Sequence, residues 1–192
     1  VTDNGEEKMK KKFFLLVTSY WLLVTIAGCG YTSRSMFATK FRSIYIPQFV
    51  NKIDITTETN TLSKYKIYRP MLETDVSKAV INKYLFDGNL KPVQKGSADL
   101  VLKGELIEFR KDPLRYTEGS DNVEEYRINI VVNLSLWDNQ ENKLLWEENN
   151  FTGETTYFTI TTNPQYKSEG TAITAAIDDL ARRIVERTVE EW

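Results

Sequence analysis

Hydrophobic positions recur at two spacings along this chain, and the switches between them mark its elements. From residue 169 to 190, Ile173, Ala176, Ile177, Leu180, Ala181, Ile184 and Val185 fall on one stripe, with Asp178, Asp179, Arg182, Arg183 and Glu186 outside it. That spacing predicts an amphipathic helix whose stripe faces a core. A second helix is predicted over 70–86, where Leu72, Val76, Ala79 and Val80 share a side with Lys83. Pro70 suits its first turn, Glu73 and Asp75 complement the positive end of its dipole, and Gly88 stops it.

Alternation predicts the strands. Residues 41–50 alternate Ile44 and Ile46 with Ser43 and Tyr45 until Pro47 removes a ladder donor. Residues 100–110 set Leu100, Leu102, Gly104, Leu106 and Glu108 on one face, with Val101, Lys103, Glu105, Ile107 and Phe109 on the other. Residues 126–137 set Ile128, Ile130, Val132, Leu134 and Leu136 against Arg127, Asn129, Asn133 and Ser135. Residues 143–158, interrupted at Gly153, form the hairpin partner of that strand. Residues 90–93 are a short extended piece broken by Pro92. The polar stretches 51–69, 111–125 and 159–168 read as loops. The order strand, helix, strand, strand, strand, helix predicts an α+β fold. Its solution is a two-layer sandwich: a sheet of about four mostly antiparallel strands, with a crossover at the first helix and both helices on one face. The opposite face is left as an open, aromatic-rich binding surface.

Ahead of these elements lies a different pattern. Lys8, Lys10, Lys11 and Lys12 precede an apolar run over 13–26, which closes on Ile26-Ala27-Gly28-Cys29. A positive region, an apolar region and small residues in that order make a secretory signal. The run is shorter than the roughly 20 apolar residues of a membrane-spanning helix. The last four residues resemble the lipobox of bacterial lipoproteins. The resemblance implies diacylation of Cys29, cleavage after Gly28 and acylation of the new amino terminus. Several acyl chains on one residue hold a protein durably on a bilayer that it does not span. Asp3, Glu6 and Glu7 do not suit a signal, so Met9 is the expected initiator. The organisation is therefore 1–28 as upstream extension and removed signal, 29–40 as lipidated tether, and 41–192 as one domain.

Composition narrows the chemistry. Histidine is absent and Cys29 is the single cysteine. The commonest general base, the commonest metal ligand and every internal disulfide are thereby removed. No metal, cofactor or Ser-His or Cys-His nucleophile is expected. Taking four lysines and three acids with residues 1–28 from totals of 25 basic and 27 acidic leaves a mildly acidic mature chain, with no electrostatic case for nucleic acid. The remaining catalytic candidates are carboxylate pairs. Glu105 and Glu108 are expected on opposite strand faces, as are Glu147 and Glu148, so a carboxylate hydrolase is remote. Basic residues on the extended segments, Lys103, Arg110, Lys111, Arg115 and Arg127, are candidates to clamp phosphate or carboxylate groups.

Taken together, the mature chain resembles the LptE family of lipopolysaccharide-assembly lipoproteins. The likeness rests on Gly28-Cys29-Gly30-Tyr31, on Ile44-Tyr45-Ile46-Pro47-Gln48-Phe49-Val50-Asn51, and on Ala98-Asp99-Leu100-Val101-Leu102-Lys103-Gly104, followed by the later strands and terminal helix. The Thr/Asn segment after Asn51 is longer than the family pattern. The resemblance implies a non-enzymatic lipoprotein on the periplasmic face of the outer membrane, and Gly30 after Cys29 resembles the outer-membrane sorting pattern. It would act as plug and assembly partner of the LptD β-barrel in carrying lipopolysaccharide to the cell surface. Lys103, Arg110, Lys111 and Arg127 are the candidate lipopolysaccharide contacts. The alternative is a periplasmic scaffold or activator lipoprotein docking on a cell-wall synthase.

Overall fold

A computed structural model of the chain describes residues 40–54 and 69–190. The signal, Cys29, nearly all of the tether and most of the Thr/Asn segment lie outside the described residues. Among the described residues six strands and two α-helices form: β1 (Ser43–Tyr45), β2 (Val50–Asn51), α1 (Leu72–Asp87), β3 (Lys91–Pro92), β4 (Leu100–Tyr116), β5 (Val123–Asp138), β6 (Lys143–Phe158) and α2 (Glu169–Glu190). The sheet is open, in the order β3-β1-β4-β5-β6, with β2 also pairing β4. β1 runs parallel to both β3 and β4, as the crossover through α1 requires, and the long β4-β5-β6 meander is antiparallel.

The α+β sandwich forms, with six strands instead of about four. Residues 41–50 do not make one strand. The chain leaves the ladder around Pro47 and returns as β2, pairing Val50 with Glu105. Residues 91–92 of the short extended piece pair with β1 and become β3. Much of the expected loop 111–125 is strand, since β4 continues through Asp112-Pro113 and only Thr117–Asn122 turns. Proline is tolerated there because β2 pairs β4 only at Glu105 and Leu106, leaving Pro113 on an edge among the described residues.

Helix α2 supplies the largest part of the covering layer. Its stripe is buried as the spacing predicts, from Ala172 through Ile177 and Leu180 to Val185. It rests on Ile128, Ile130, Val132, Leu134 and Leu136 of β5 and on Trp146, Phe151 and Tyr157 of β6, in one continuous core. Fully burying side chains of this size stabilises by about 1.5–3 kcal/mol each before chain entropy is counted. On α1 the buried set is Leu72, Val76, Ser77, Val80 and Tyr84; Ala79 and Lys83 lie at its margin. Tyr84 joins the helices, its hydroxyl donating to Thr188 Oγ1 at 2.8 Å while Thr188 donates to the Ile184 carbonyl. Burial pushes the Tyr84 phenol well above its ordinary pKa.

Two local features set the spacing of the layers. At Gly153 a Cβ would stand 2.3 Å from Leu180 Cβ and 2.6 Å from Leu180 Cα, so the missing side chain seats α2 against β6. The strand is interrupted elsewhere, at Asn149-Asn150, where the β5 register slips between Val132 and Leu134 and Asn150 takes φ 58°. Near the start of β1, Asp99 Oδ2 accepts hydrogen bonds from the Arg42 N–H at 2.9 Å, the Ser43 N–H at 3.0 Å and Ser43 Oγ at 2.8 Å. These donors, the Arg42 amide foremost, hold the Asp99 carboxyl below its ordinary pKa.

Gly153→Ala is expected to destabilise the domain by about 1–3 kcal/mol, because a helix backbone and not a flexible tip must give way. Thermal unfolding reads this, and an unchanged midpoint would contradict the seating. Asp99→Asn should cost about 1 kcal/mol at neutral pH. A depressed carboxylate contributes stability above the unfolded pKa near 3.9 and loses it as pH falls through the folded value. The gap between wild type and variant in urea titrations should therefore close below about pH 4. A gap independent of pH would show that the charge is not what holds β1.

Candidate functional site

With both helices on one side, the other sheet face is uncovered among the described residues. The strand registers place its rows: Val101, Trp137 and Leu144; Lys103, Ser135 and Glu147; Glu108, Val131 and Thr152; Arg110, Asn129 and Glu154; Asp112, Arg127 and Thr156. Its aromatic side chains are Tyr45, Trp137 and Phe158, whereas Phe109, Trp146, Phe151 and Tyr157 belong to the buried side. The expected aromatic-rich surface is instead mainly charged and amide.

Three of the four candidate basic residues share this face. Arg110 and Arg127 are diagonal neighbours around Asn129, which is 4% exposed and donates to Asp112 Oδ2 at 2.7 Å. Arg110 Nε lies 3.5 Å from Glu108 Oε2 and its Nη2 lies 3.7 Å from Asp112 Oδ2. Arg127 Nε lies 3.9 Å from Glu154 Oε2. Both Nε atoms are shielded from solvent and donate no hydrogen bond. The two guanidiniums are thus neutralised by carboxylates at ion-pair range, with donors unspent. Lys103 is on the same face some 20 Å along β4 by strand rise. Its ammonium sits 4.5 Å from the Trp137 ring centroid.

Lys111 does not join them. It points to the helix side, where its ammonium bonds Glu169 and lies 4.4 Å from the Tyr126 ring centroid. Partial burial opposes its charge, but hydrogen bonding to Glu169 and Tyr157 outweighs this and holds its pKa above the ordinary lysine value. Arg115, on the open side near the β4 tip, packs over the Phe158 ring at 5.8 Å.

A β-bulge corrects the expected faces of β4. The register slips between Leu106 and Glu108, so Ile107 is the extra residue. Phe109 consequently joins Leu106 in the core, and Glu105 and Glu108 come to the same open face. Each then has a cation of its own: Glu105 pairs with Lys52 at 2.6 Å and Glu108 with Arg110. Glu147 and Glu148 do diverge, Glu148 reaching Arg187 Nε at 2.6 Å on the helix side. Among the described residues, no group of three acidic, histidine or cysteine side chains could hold a metal ion. Nor is any helix there long and apolar enough to cross a membrane.

The residues carrying the LptE-like pattern have structural work that sequence reading alone did not reveal. Phe49 packs its ring over Gly104, where a Cβ would stand 2.1 Å from the ring. Its N–H donates to Ser77 Oγ at 2.8 Å, fastening the β2 segment to α1. Asn51 caps the next turn, its Oδ1 accepting from the Ile53 N–H, and its amide donates to Glu73 Oε2. A glycine inside an otherwise strong strand pattern is the one signal that pointed to such an approach.

Comparison with known proteins agrees with this architecture. No curated protein matches the sequence. Among solved structures, XCC0632 from Xanthomonas campestris is 12% identical with a TM-score of 0.51, over 78% of this chain and 85% of that one. Rare lipoprotein B from Shewanella oneidensis is 13% identical with a TM-score of 0.44, over 78% and 95%. The PelC dodecamer from Paraburkholderia phytofirmans is 17% identical with a TM-score of 0.41, over 74% and 88%. At such identities the Xanthomonas likeness speaks for the fold alone. The family model described as lipopolysaccharide-assembly, LptE, matches residues 41–188. Since that span runs from just ahead of β1 into the last turn of α2, taking in both layers of the sandwich, the chain belongs to the LptE lipopolysaccharide-assembly family.

Proposed function

We propose that this chain is the lipid-anchored component of an outer-membrane lipopolysaccharide translocon, acting as plug and assembly partner of an LptD-type β-barrel. The family match over residues 41–188 carries the reading. The Ile26-Ala27-Gly28-Cys29 sequence supports acylation at Cys29 and attachment at the periplasmic face of the outer membrane. The part is mechanical: it binds and supports, and turns over no substrate. An uncovered sheet face of ion pairs and amides suits the wet wall of a barrel lumen, where an apolar face would demand a dry partner.

Lipopolysaccharide brings anionic headgroups, and the Arg110–Arg127 pair is the part of the open face best suited to them. Planar guanidiniums bind phosphate through two parallel hydrogen bonds, and each of these has an Nε that sits at ion-pair range of a carboxylate but donates no hydrogen bond. A phosphate would displace Glu108, Asp112 and Glu154 as counter-charges. Lys103 would act separately, further along the face, and Lys111 is left to its role at α2.

The test is affinity purification of the tagged lipoprotein from envelope membranes, followed by lipopolysaccharide binding to the isolated protein. The reading predicts a stoichiometric β-barrel partner for wild type. It also predicts at least tenfold weaker lipopolysaccharide binding for Arg110→Glu/Arg127→Glu with the barrel still bound. Recovery of a cell-wall synthase in place of the barrel would favour the scaffold alternative. Unchanged lipopolysaccharide binding would remove the arginine pair from the proposal.

A further inference from the structure

Among the described residues β6 is the outermost strand on its side of the sheet, and its 16 residues span about 50 Å by strand rise. A free edge of that length is a template on which another strand can pair. Here it is interrupted along its course. The register against β5 slips between Leu136 and Trp137 and again between Val132 and Leu134, where Asn150 takes φ 58°. Each irregularity twists the edge away from a straight partner. Beyond Asn150, side chains of α2 reach over the edge. Asp179 Oδ2 accepts from the Glu154 N–H at 3.1 Å, and the Arg183 guanidinium donates to the Thr152 carbonyl.

These two bonds fix which main-chain groups point outward. By alternation the outward residues are Thr152, Glu154, Thr156 and Phe158. The Phe158 carbonyl accepts from the Lys167 N–H at 3.4 Å, so among the described residues Thr156 alone has neither of its outward groups engaged. The clip is itself braced. Asp179 Oδ1 accepts from Arg182 Nη2 at 2.6 Å, and Arg183 lies 5.3 Å from the Phe151 ring centroid. The opposite edge is closed by different means. β3 is two residues long, and the N–H groups of Lys91 and Val93 turn inward to β1. Pro92 therefore holds the outward position and has no N–H to offer. On β4 beyond β2, Phe109 is buried and Pro113 lacks the donor.

We propose that this sheet is closed to strand addition, so that the chain meets a β-rich partner through side chains and stays out of its hydrogen-bond ladder. The inference deepens the plug reading and rests on it for the partner's identity. A barrel exposes unpaired strand edges until it closes. A plug with a receptive edge would be drawn into that ladder and would not be free to fill the lumen. Asp179 and Arg183 thus have a role beyond packing α2 on the sheet. They occupy the main-chain groups to which an added strand would bond.

The test is Asp179→Ala/Arg183→Ala in the processed full lipoprotein in detergent, with Asp178→Ala, at an exposed position of α2, as control. Amide hydrogen exchange at Glu154 should quicken at least tenfold, while Ile130, at the centre of the sheet, exchanges as in wild type. Sedimentation should show a dimer or larger species for the double variant and a monomer for wild type and control. Adding Thr156→Pro, which removes an outward N–H and no ladder bond to β5, should return the double variant to monomer. A double variant that stays monomeric although Glu154 is freed would overturn the proposal, as would association that Thr156→Pro leaves unchanged. If Ile130 quickens too, the fold has loosened, and the single variants Asp179→Ala and Arg183→Ala decide by the same two readings. Both readings are made without the barrel. Absence of a barrel partner would therefore refute the plug reading, while a closed edge would stand.

Discussion

One-sided coverage of a long sheet governs this molecule. The apolar stripe of α2 presses on β5 and β6, Gly153 lets it come close, and Tyr84 with Thr188 locks α1 alongside. Apolar side chains consequently go to one side of the meander, while the other stays uncovered among the described residues and must satisfy itself with ion pairs and amides. Surface pairs of this kind contribute little stability each. Their arrangement is distinctive: two arginines whose Nε atoms donate no hydrogen bond stand among three carboxylates on one face.

Along the strands the charges are paired locally as well. At the entering end Asp99 ties β1 down through the Arg42 and Ser43 donors, and Lys40 lies 3.9 Å from the Asp138 carboxylate. At the far end the β4–β5 hairpin is acidic. Glu105 and Glu108, though brought to one face, are each committed to a separate cation.

Much of this was legible in the sequence. Helix α2 was read at its observed ends because its stripe is long and uninterrupted, and β6 because turn residues bound it on both sides. The reading failed where one residue breaks the period. Ile107 bulges out of β4 and reverses every face after it, so Phe109 moved to the core and Lys111 left its supposed companions. A bulge is set by the partner strand, and alternation within one strand cannot reveal it. Pro47 split a strand that alternation had joined, and polar residues hid the last turns of β4, where a two-sided ribbon needs no apolar face. The arginine pair was named correctly as basic and extended; that its members are diagonal neighbours depends on register, which only the fold supplies.

The open face is the surface on which the functional account turns, and Thr156, exposed on the outer strand β6 beside Arg127, is its most accessible probe. A photo-crosslinking residue at that position, activated in growing cells, tests the account most directly. It predicts a single high-mass adduct containing an outer-membrane β-barrel protein. An adduct with a cell-wall synthase, or none while the protein is folded and membrane-bound, would contradict it.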